Sequence, residues 1–123
     1  MVANQPRQNS GMTFDGAIWH SEISLSSGEA SHIYASLCRG EIPGRGVTPS
    51  PALEAFHGEL TGEWPEIEFI CKLNRSDAYV VLSCEWSKAE EVHLLLQHLA
   101  AKHGLVFFDP QSEEVYLPDH LQS

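Results

Sequence analysis

The order of its predicted elements places this chain in the α+β class, with a ferredoxin-like two-layer sandwich as the expected fold. Short stretches alternate apolar and polar residues, helix-start signals precede amphipathic stretches, and the elements follow one another as β-α-α-β-β-α-β-β. Without the extra short helix and the last edge strand this order is βαββαβ, the split unit of ferredoxin-like domains. We therefore expect two helices on one face of an antiparallel sheet, with the first and third strands central and parallel to each other.

The first half of the chain contains one predicted strand and two predicted helices. Residues 14–23 alternate imperfectly and are apolar on both sides, as in a central strand. Ser26 and Glu29 have the spacing of a capping box, and Gly40 supplies a helix stop, so a helix is expected between them. A loop rich in Gly and Pro follows. A Ser-Pro pair at residues 50–51 then begins the extra helix.

The second half begins with the clearest hairpin, in which residues 67–73 and 78–86 alternate on either side of a four-residue turn. Ser87 and Glu90 have the spacing of a second capping box, and Gly104 ends the helix that follows. The apolar residues of this helix recur at helical spacing, which makes it the best-defined helix in the sequence. Two short strands complete the chain, at residues 106–108 and 115–117.

Length and charge limit the possible functions. We expect one domain over residues 13–118, with tails at 1–12 and 119–123. The 123 residues carry a formal net charge of −10, from seven Lys and Arg against seventeen Asp and Glu. Because binding to phosphate backbones depends on Lys and Arg, the sequence argues against nucleic acids and anionic membranes as partners. A basic protein would be attracted instead, although the charge could also serve solubility alone.

The cysteines and the N-terminus predict a cytoplasmic protein. Cys38, Cys71 and Cys84 are odd in number, lie in apolar stretches and form no Cys-x-x-Cys pair, so buried reduced thiols are expected at all three positions. The polar N-terminal residues lack the apolar core of a secretory signal, and no stretch is long and apolar enough to span a bilayer.

Three Glu-x-x-His pairs are the most conspicuous chemical pattern. On a helix this spacing places both side chains on one face, and two such pairs with two further Glu build a di-iron site. Such a site needs a bundle whose inner faces carry the ligands, whereas here apolar residues occupy those faces, so we expect neither a metal nor another cofactor. The sequence likewise predicts no catalytic residue, because it lacks a nucleophile motif. The three pairs are Glu29/His32, Glu54/His57 and Glu90/His93.

Residues 81–92 and 99–112 resemble a family of small uncharacterised bacterial proteins that share the patterns WS-x-AEEV, LA-x-KHGL and DPQS. The PSP…F…EL start of the middle helix, at residues 49–60, is part of the same resemblance, which covers most of residues 13–118. Some members look like immunity proteins of toxin systems, so the resemblance implies binding to a toxin. The chain departs from the pattern between residues 64 and 77, where the members compared are longer.

These observations favour a cytoplasmic protein-binding module, such as an immunity protein or inhibitor of a basic toxin, over an enzyme. The alternative is a small enzyme or small-molecule binder that uses the open sheet face of a ferredoxin-like fold. The helix-start and edge carboxylates also have local explanations, in the helix dipole and in protection of the sheet edge. The predicted partner-binding residues are Glu85, Glu90, Glu91, Asp109, Glu113 and Glu114.

Overall fold

Five strands and four helices make up the chain over residues 13–122, the part that the structure, a computed structural model, describes. The predicted N-terminal tail, residues 1–12, lies outside the described residues. The strands are β1 (Thr13–Trp19), β2 (Cys71–Arg75), β3 (Tyr79–Glu85), β4 (Val106–Asp109) and β5 (Glu114–Tyr116). The helices are α1 (Ser27–Cys38), α2 (Ala52–Glu63), α3 (Ile67–Ile70) and α4 (Ala89–Lys102), with single 3-10 turns at Trp86–Lys88 and Asp119–Leu121.

The strands form one antiparallel sheet in the order β2-β3-β1-β4-β5. The α+β class predicted from the sequence is therefore confirmed. The prediction that the first and third strands are parallel is wrong, because β1 and β3 pair antiparallel over their full length, from Thr13 opposite Glu85 to Trp19 opposite Tyr79. The ferredoxin-like topology is not confirmed, since the sheet has five strands in this order and its helices are divided between the two faces.

Each face of the sheet carries its own apolar cluster, because side chains of a strand alternate between faces. Phe14 and Ile18 of β1 pack with α2 and α4, in a cluster that includes Phe56, Leu96 and Phe107. Ala17 and Trp19, on the opposite face of β1, pack with α1 and with β4 residues such as Phe108. The division of β1 residues between faces agrees with the prediction. Neither face is open, however, so the alternative function loses the surface on which it was based.

The helix ends show which local signals decide the structure. The Ser26 hydroxyl accepts a hydrogen bond from the Glu29 backbone, and the Glu29 carboxylate accepts one from the Ser26 N–H, so the first capping box is confirmed. Gly104 adopts a left-handed φ of 70°, which lets Leu105 N–H donate to the Ala100 carbonyl, as expected at this helix end.

Three of the predicted boundaries are wrong. The first strand ends at Trp19 and does not continue to residue 23. A 3-10 turn takes up Trp86–Lys88, so α4 begins without a side-chain cap and Ser87 is not its N-cap. Residues 67–70 form the short helix α3 instead of a strand, because Pro65 ends α2 and the Glu66 carbonyl then accepts hydrogen bonds from Phe69 and Ile70. The strand begins only at Cys71.

The expectation of three buried, reduced cysteines is wrong as well. Cys71 and Cys84 lie directly opposite each other on β2 and β3, with their Cα atoms 4.0 Å apart, and form a disulfide. Their separation of 13 residues matches no sequence motif, so only the strand register reveals the pair. Cys38 is free but exposed at the end of α1. Because structural disulfides are typical of oxidising compartments, the cytoplasmic location stays a prediction that this bond does not support.

Residues 119–122 are still folded. The 3-10 turn Asp119–Leu121 brings Leu121 into the apolar cluster around Trp19, and the Gln122 side chain donates a hydrogen bond to the Leu117 carbonyl. The segment predicted as a C-terminal tail therefore contributes to the core. Among residues 13–122, every helix is too short or too polar to cross a bilayer.

The apolar face of α4 is the clearest target for a test of this packing. Leu96 is fully buried against the sheet, whereas Leu94 on the same helix is 61% exposed. We expect Leu96→Ala to lower the free energy of unfolding by about 2–5 kcal/mol, because it leaves a cavity in a close-packed cluster. Leu94→Ala, the matched control, should change it by less than about 0.5 kcal/mol. Urea denaturation measures both, and a loss below 1 kcal/mol for Leu96→Ala would show that the buried face is misassigned.

Candidate functional site

The strand register brings the predicted partner-binding residues to one end of the sheet. The strands β3 and β4 finish there, at Glu85 and Asp109, while β5 begins there at Glu114 and β1 at Thr13. The first turn of α4 follows directly on the end of β3 and adds Glu90 and Glu91. We call this region the carboxylate end, defined by its exposed residues Glu85, Glu90, Glu91, Glu113 and Glu114.

Asp109 does not belong to that surface, although the sequence placed it there. Its side chain is buried, at 6% exposure for the residue. The Asp109 carboxylate accepts hydrogen bonds from the backbone and the side-chain amide of Gln111, and it lies 3.4 Å from Nε2 of His93. Gln111 in turn exchanges hydrogen bonds with the backbone of Asp15 on β1. Asp109 therefore fixes the turn between β4 and β5 to the centre of the sheet.

His93 connects this turn to helix α4 and to β5. Tyr116 donates its hydroxyl proton to the Glu114 carboxylate at 2.8 Å, so it has no second proton to offer His93 Nε2, 3.3 Å away. Burial, reinforced by the hydrogen bond to Glu114, raises the pKa of Tyr116 to about 12. The phenol consequently stays neutral over the physiological range.

These contacts form the His93 network, which consists of Asp15, His93, Asp109, Gln111, Glu114 and Tyr116. The imidazole is held edge-on by Phe14, Phe107 and Tyr116, and its Nε2 lies near both the Tyr116 hydroxyl and the Asp109 carboxylate. The network positions the carboxylate end.

A second polar cluster joins α2 to the end of α4. The Glu59 carboxylate accepts hydrogen bonds from Lys102 Nζ at 2.6 Å and from His103 Nε2 at 2.9 Å. These bonds, that from Lys102 first, lower the pKa of Glu59 to about 2, and the same contact raises the pKa of Lys102. All three groups are satisfied within the cluster, so its role is to hold the two helices together.

The Glu-x-x-His pairs lie on helices, as predicted, but the polar contacts of Glu29, His57 and His93 go to different partners. Glu29 completes the α1 cap, His57 lies 3.3 Å from Glu68, and His93 belongs to the network around Asp109. Within residues 13–122 no three His, Cys, Asp or Glu side chains come close enough together to hold a metal ion.

Two exposed aromatic side chains near the carboxylate end are not among the predicted partner-binding residues. Phe69 is 88% exposed and Trp86 is 47% exposed, and each lies two residues from one of the bonded cysteines. Both were assigned to strand alternation, which would have half-buried them. Pro65, which ends α2 before the short helix that carries Phe69, is the one sequence signal that could have revealed Phe69. The exposure of Trp86 follows from the 3-10 turn after Glu85, which only the structure shows.

The turn before β5 has an unusual backbone at Glu113. Its φ of 59° lies in the left-handed region, which costs a residue with a Cβ about 1–2 kcal/mol and is ordinarily filled by glycine or asparagine. The exposed Glu113 carboxylate is thus held on a turn whose geometry a glycine would adopt more easily.

Comparisons of the chain with known protein families, with curated proteins and with solved structures give no match. The resemblance described from the sequence therefore stays a prediction.

The Glu59 cluster makes the stability depend on pH in a defined window. A carboxyl whose pKa falls on folding contributes stability above its ordinary pKa and loses it on protonation. Glu59 should therefore stabilise the fold above about pH 4.5, and the contribution should disappear as the pH falls towards about 2. We expect Glu59→Gln to unfold with a flatter pH dependence in this window, measured by urea denaturation.

The matched control is Glu54→Gln, which changes an exposed carboxyl on the same helix. If Glu59→Gln and the wild type follow the same pH profile, the contacts from Lys102 and His103 contribute nothing to folding.

Proposed function

We propose that this chain is a protein-binding module that engages a basic protein through the carboxylate end. The observation on which the proposal rests is that exposed Trp86 shares this end of the sheet with Glu85, Glu90 and Glu91. Interfaces are typically organised around an aromatic anchor within a polar rim, and the rim charges accelerate association with an oppositely charged partner. This combination supports recognition of a basic surface.

The rigidity of this end supports the same proposal. Buried Asp109 and the His93 network hold the turn that carries Glu113, and the paired strands hold Glu85 and Glu114. A surface whose backbone is fixed before binding loses less conformational entropy on association. An immunity protein or inhibitor of a basic toxin, the partner class implied by the sequence resemblance, would benefit from such a preformed surface.

A second candidate function is small-molecule binding. A cleft of about 430 Å³ lies between α4 and β5, where Gln97, Tyr116, Asp119 and Gln122 place polar groups beside apolar Leu105 and Val115. This cleft replaces the open sheet face as the site for the alternative. A small molecule retained by the purified protein, and lost from a Gln97→Leu variant, would favour it.

The test of the protein-binding proposal compares two charge-reversal variants that change net charge equally. The first is Glu90→Lys, Glu91→Lys, Glu113→Lys, at the carboxylate end. The control is Glu22→Lys, Glu54→Lys, Asp77→Lys, three exposed carboxyls near the opposite end, where β1 finishes and the hairpin turns. A Trp86→Ala variant probes the anchor, and circular dichroism confirms each fold.

The immobilised protein is used to capture partners from an extract of cells that naturally express this protein. The association rate of a captured partner is then measured at several salt concentrations. We expect a basic protein that binds the wild type and the control variant, whereas the first variant associates more slowly and loses most of the salt dependence. Trp86→Ala should dissociate faster. If both charge variants behave alike, the acidic surface confers only solubility and the proposal fails.

A further inference from the structure

The two residues of the Cys71–Cys84 disulfide are both buried, but they differ in exposure. Both belong to the apolar cluster around Ile18; Cys84 is 1% exposed, and Cys71, on the edge strand β2, is 7% exposed. Cys71 also lines a surface cavity of about 220 Å³, together with His57, Glu68, Leu73 and Arg75. A small molecule in this cavity would therefore meet Cys71, and Cys84 would lie behind it.

One cationic side chain of the cavity, that of Arg75, has no ion-pair partner within the described part of the chain. His57 Nε2 lies 3.3 Å from the Glu68 carboxylate, so these two groups pair with each other. The guanidinium of Arg75 has no carboxylate within 4.0 Å among residues 13–122. A free guanidinium can bind a carboxylate through two parallel hydrogen bonds. The cavity is thus lined both by an anion-binding group and by one residue of the disulfide.

We propose that the Cys71–Cys84 disulfide is a site of thiol–disulfide exchange, attacked at Cys71 by a small thiol that carries a carboxylate. The thiolate forms a bond to Sγ of Cys71, and the Cys71–Cys84 bond breaks with its electron pair leaving on Cys84, which takes a proton from water. A second thiol then attacks the sulfur of the bound small molecule. This step forms the small-molecule disulfide and releases Cys71 as a thiolate.

Reduction would loosen one edge of the sheet. The strand β2 pairs only with β3 among the described strands, and the disulfide joins the first residue of β2 to that neighbour. Opening the bond leaves the backbone pairing and the contacts of α3 to hold this edge. This inference concerns the chemistry of the hairpin and is independent of the proposed protein partner.

The experiment treats the native protein with reduced glutathione, a small thiol with two carboxylates, and stops the reaction with acid and iodoacetamide. Peptide mapping by mass spectrometry should find glutathione on Cys71 and the alkyl group on Cys84. We expect Arg75→Gln to slow exchange with glutathione by about three- to fivefold, the size expected of one exposed ion pair. Exchange with 2-mercaptoethanol, a neutral thiol without a carboxylate, should keep its rate.

The control is Arg39→Gln. This exposed arginine follows α1 and pairs with Glu41, so its loss should leave both rates unchanged. A Cys84→Ser variant with a native circular dichroism spectrum should form a mixed disulfide with oxidised glutathione at Cys71. Glutathione found on Cys84, an unchanged rate in Arg75→Gln, or exchange that occurs only in urea would each overturn the proposal.

Discussion

The burial of β1 on both faces and its pairing along both edges is the constraint on which the rest of the structure depends. Ile18 pairs with Val80 on one side and Phe107 on the other, while its neighbours Ala17 and Trp19 face the opposite cluster. A strand in this position cannot shift by one residue without turning each set of side chains towards the opposite cluster, where other residues pack. The register of β3 and β4, and with it the position of every group at the carboxylate end, follows from β1.

Close packing beside β1 reinforces that register. A Cβ added at Gly16 would lie 3.2 Å from the Phe107 ring, so the absence of a side chain there leaves room for that ring against β1. The chain then reaches the turn between β4 and β5, where Asp109, Gln111 and the backbone of Asp15 join the turn back to β1. The surface groups of the carboxylate end are therefore positioned by buried contacts, which explains why an acidic patch can have a fixed geometry.

Local signals in the sequence predicted much of the fold, because helix caps and strand alternation act over a few residues. The capping box at Ser26 and the helix stop at Gly104 are confirmed, as is the return of the chain from α4 to pair beside β1. The assignment of both helices to one face failed, because α1 and α4 have similar one-sided patterns and nothing in such a pattern states which face is covered. The prediction of a strand at residues 67–70 is wrong, because alternation over four positions also fits a helical turn.

The candidate site was predictable in its charges and unpredictable in its contacts. The exposed glutamates were identified from their positions beside predicted strand and helix ends, whereas the burial of Asp109 depends on Gln111 and on His93, which comes from another element. The Cys71–Cys84 bond likewise depends on the register of two strands, and spacing alone carries no information about it. The exposure of Trp86 follows from a 3-10 turn that no local sequence pattern predicts.

The central claim, that β1 fixes the register of the whole sheet, is tested most directly by native-state hydrogen exchange of backbone amides. The account predicts that amides in the central segment of β1, such as that of Ile18, exchange only through global unfolding, with a free energy equal to that from urea denaturation. Amides of the edge strands β2 and β5 should exchange faster, through local opening. If β1 amides exchanged as fast as those of the edge strands, the account would be contradicted, because β1 could then open without the rest of the sheet.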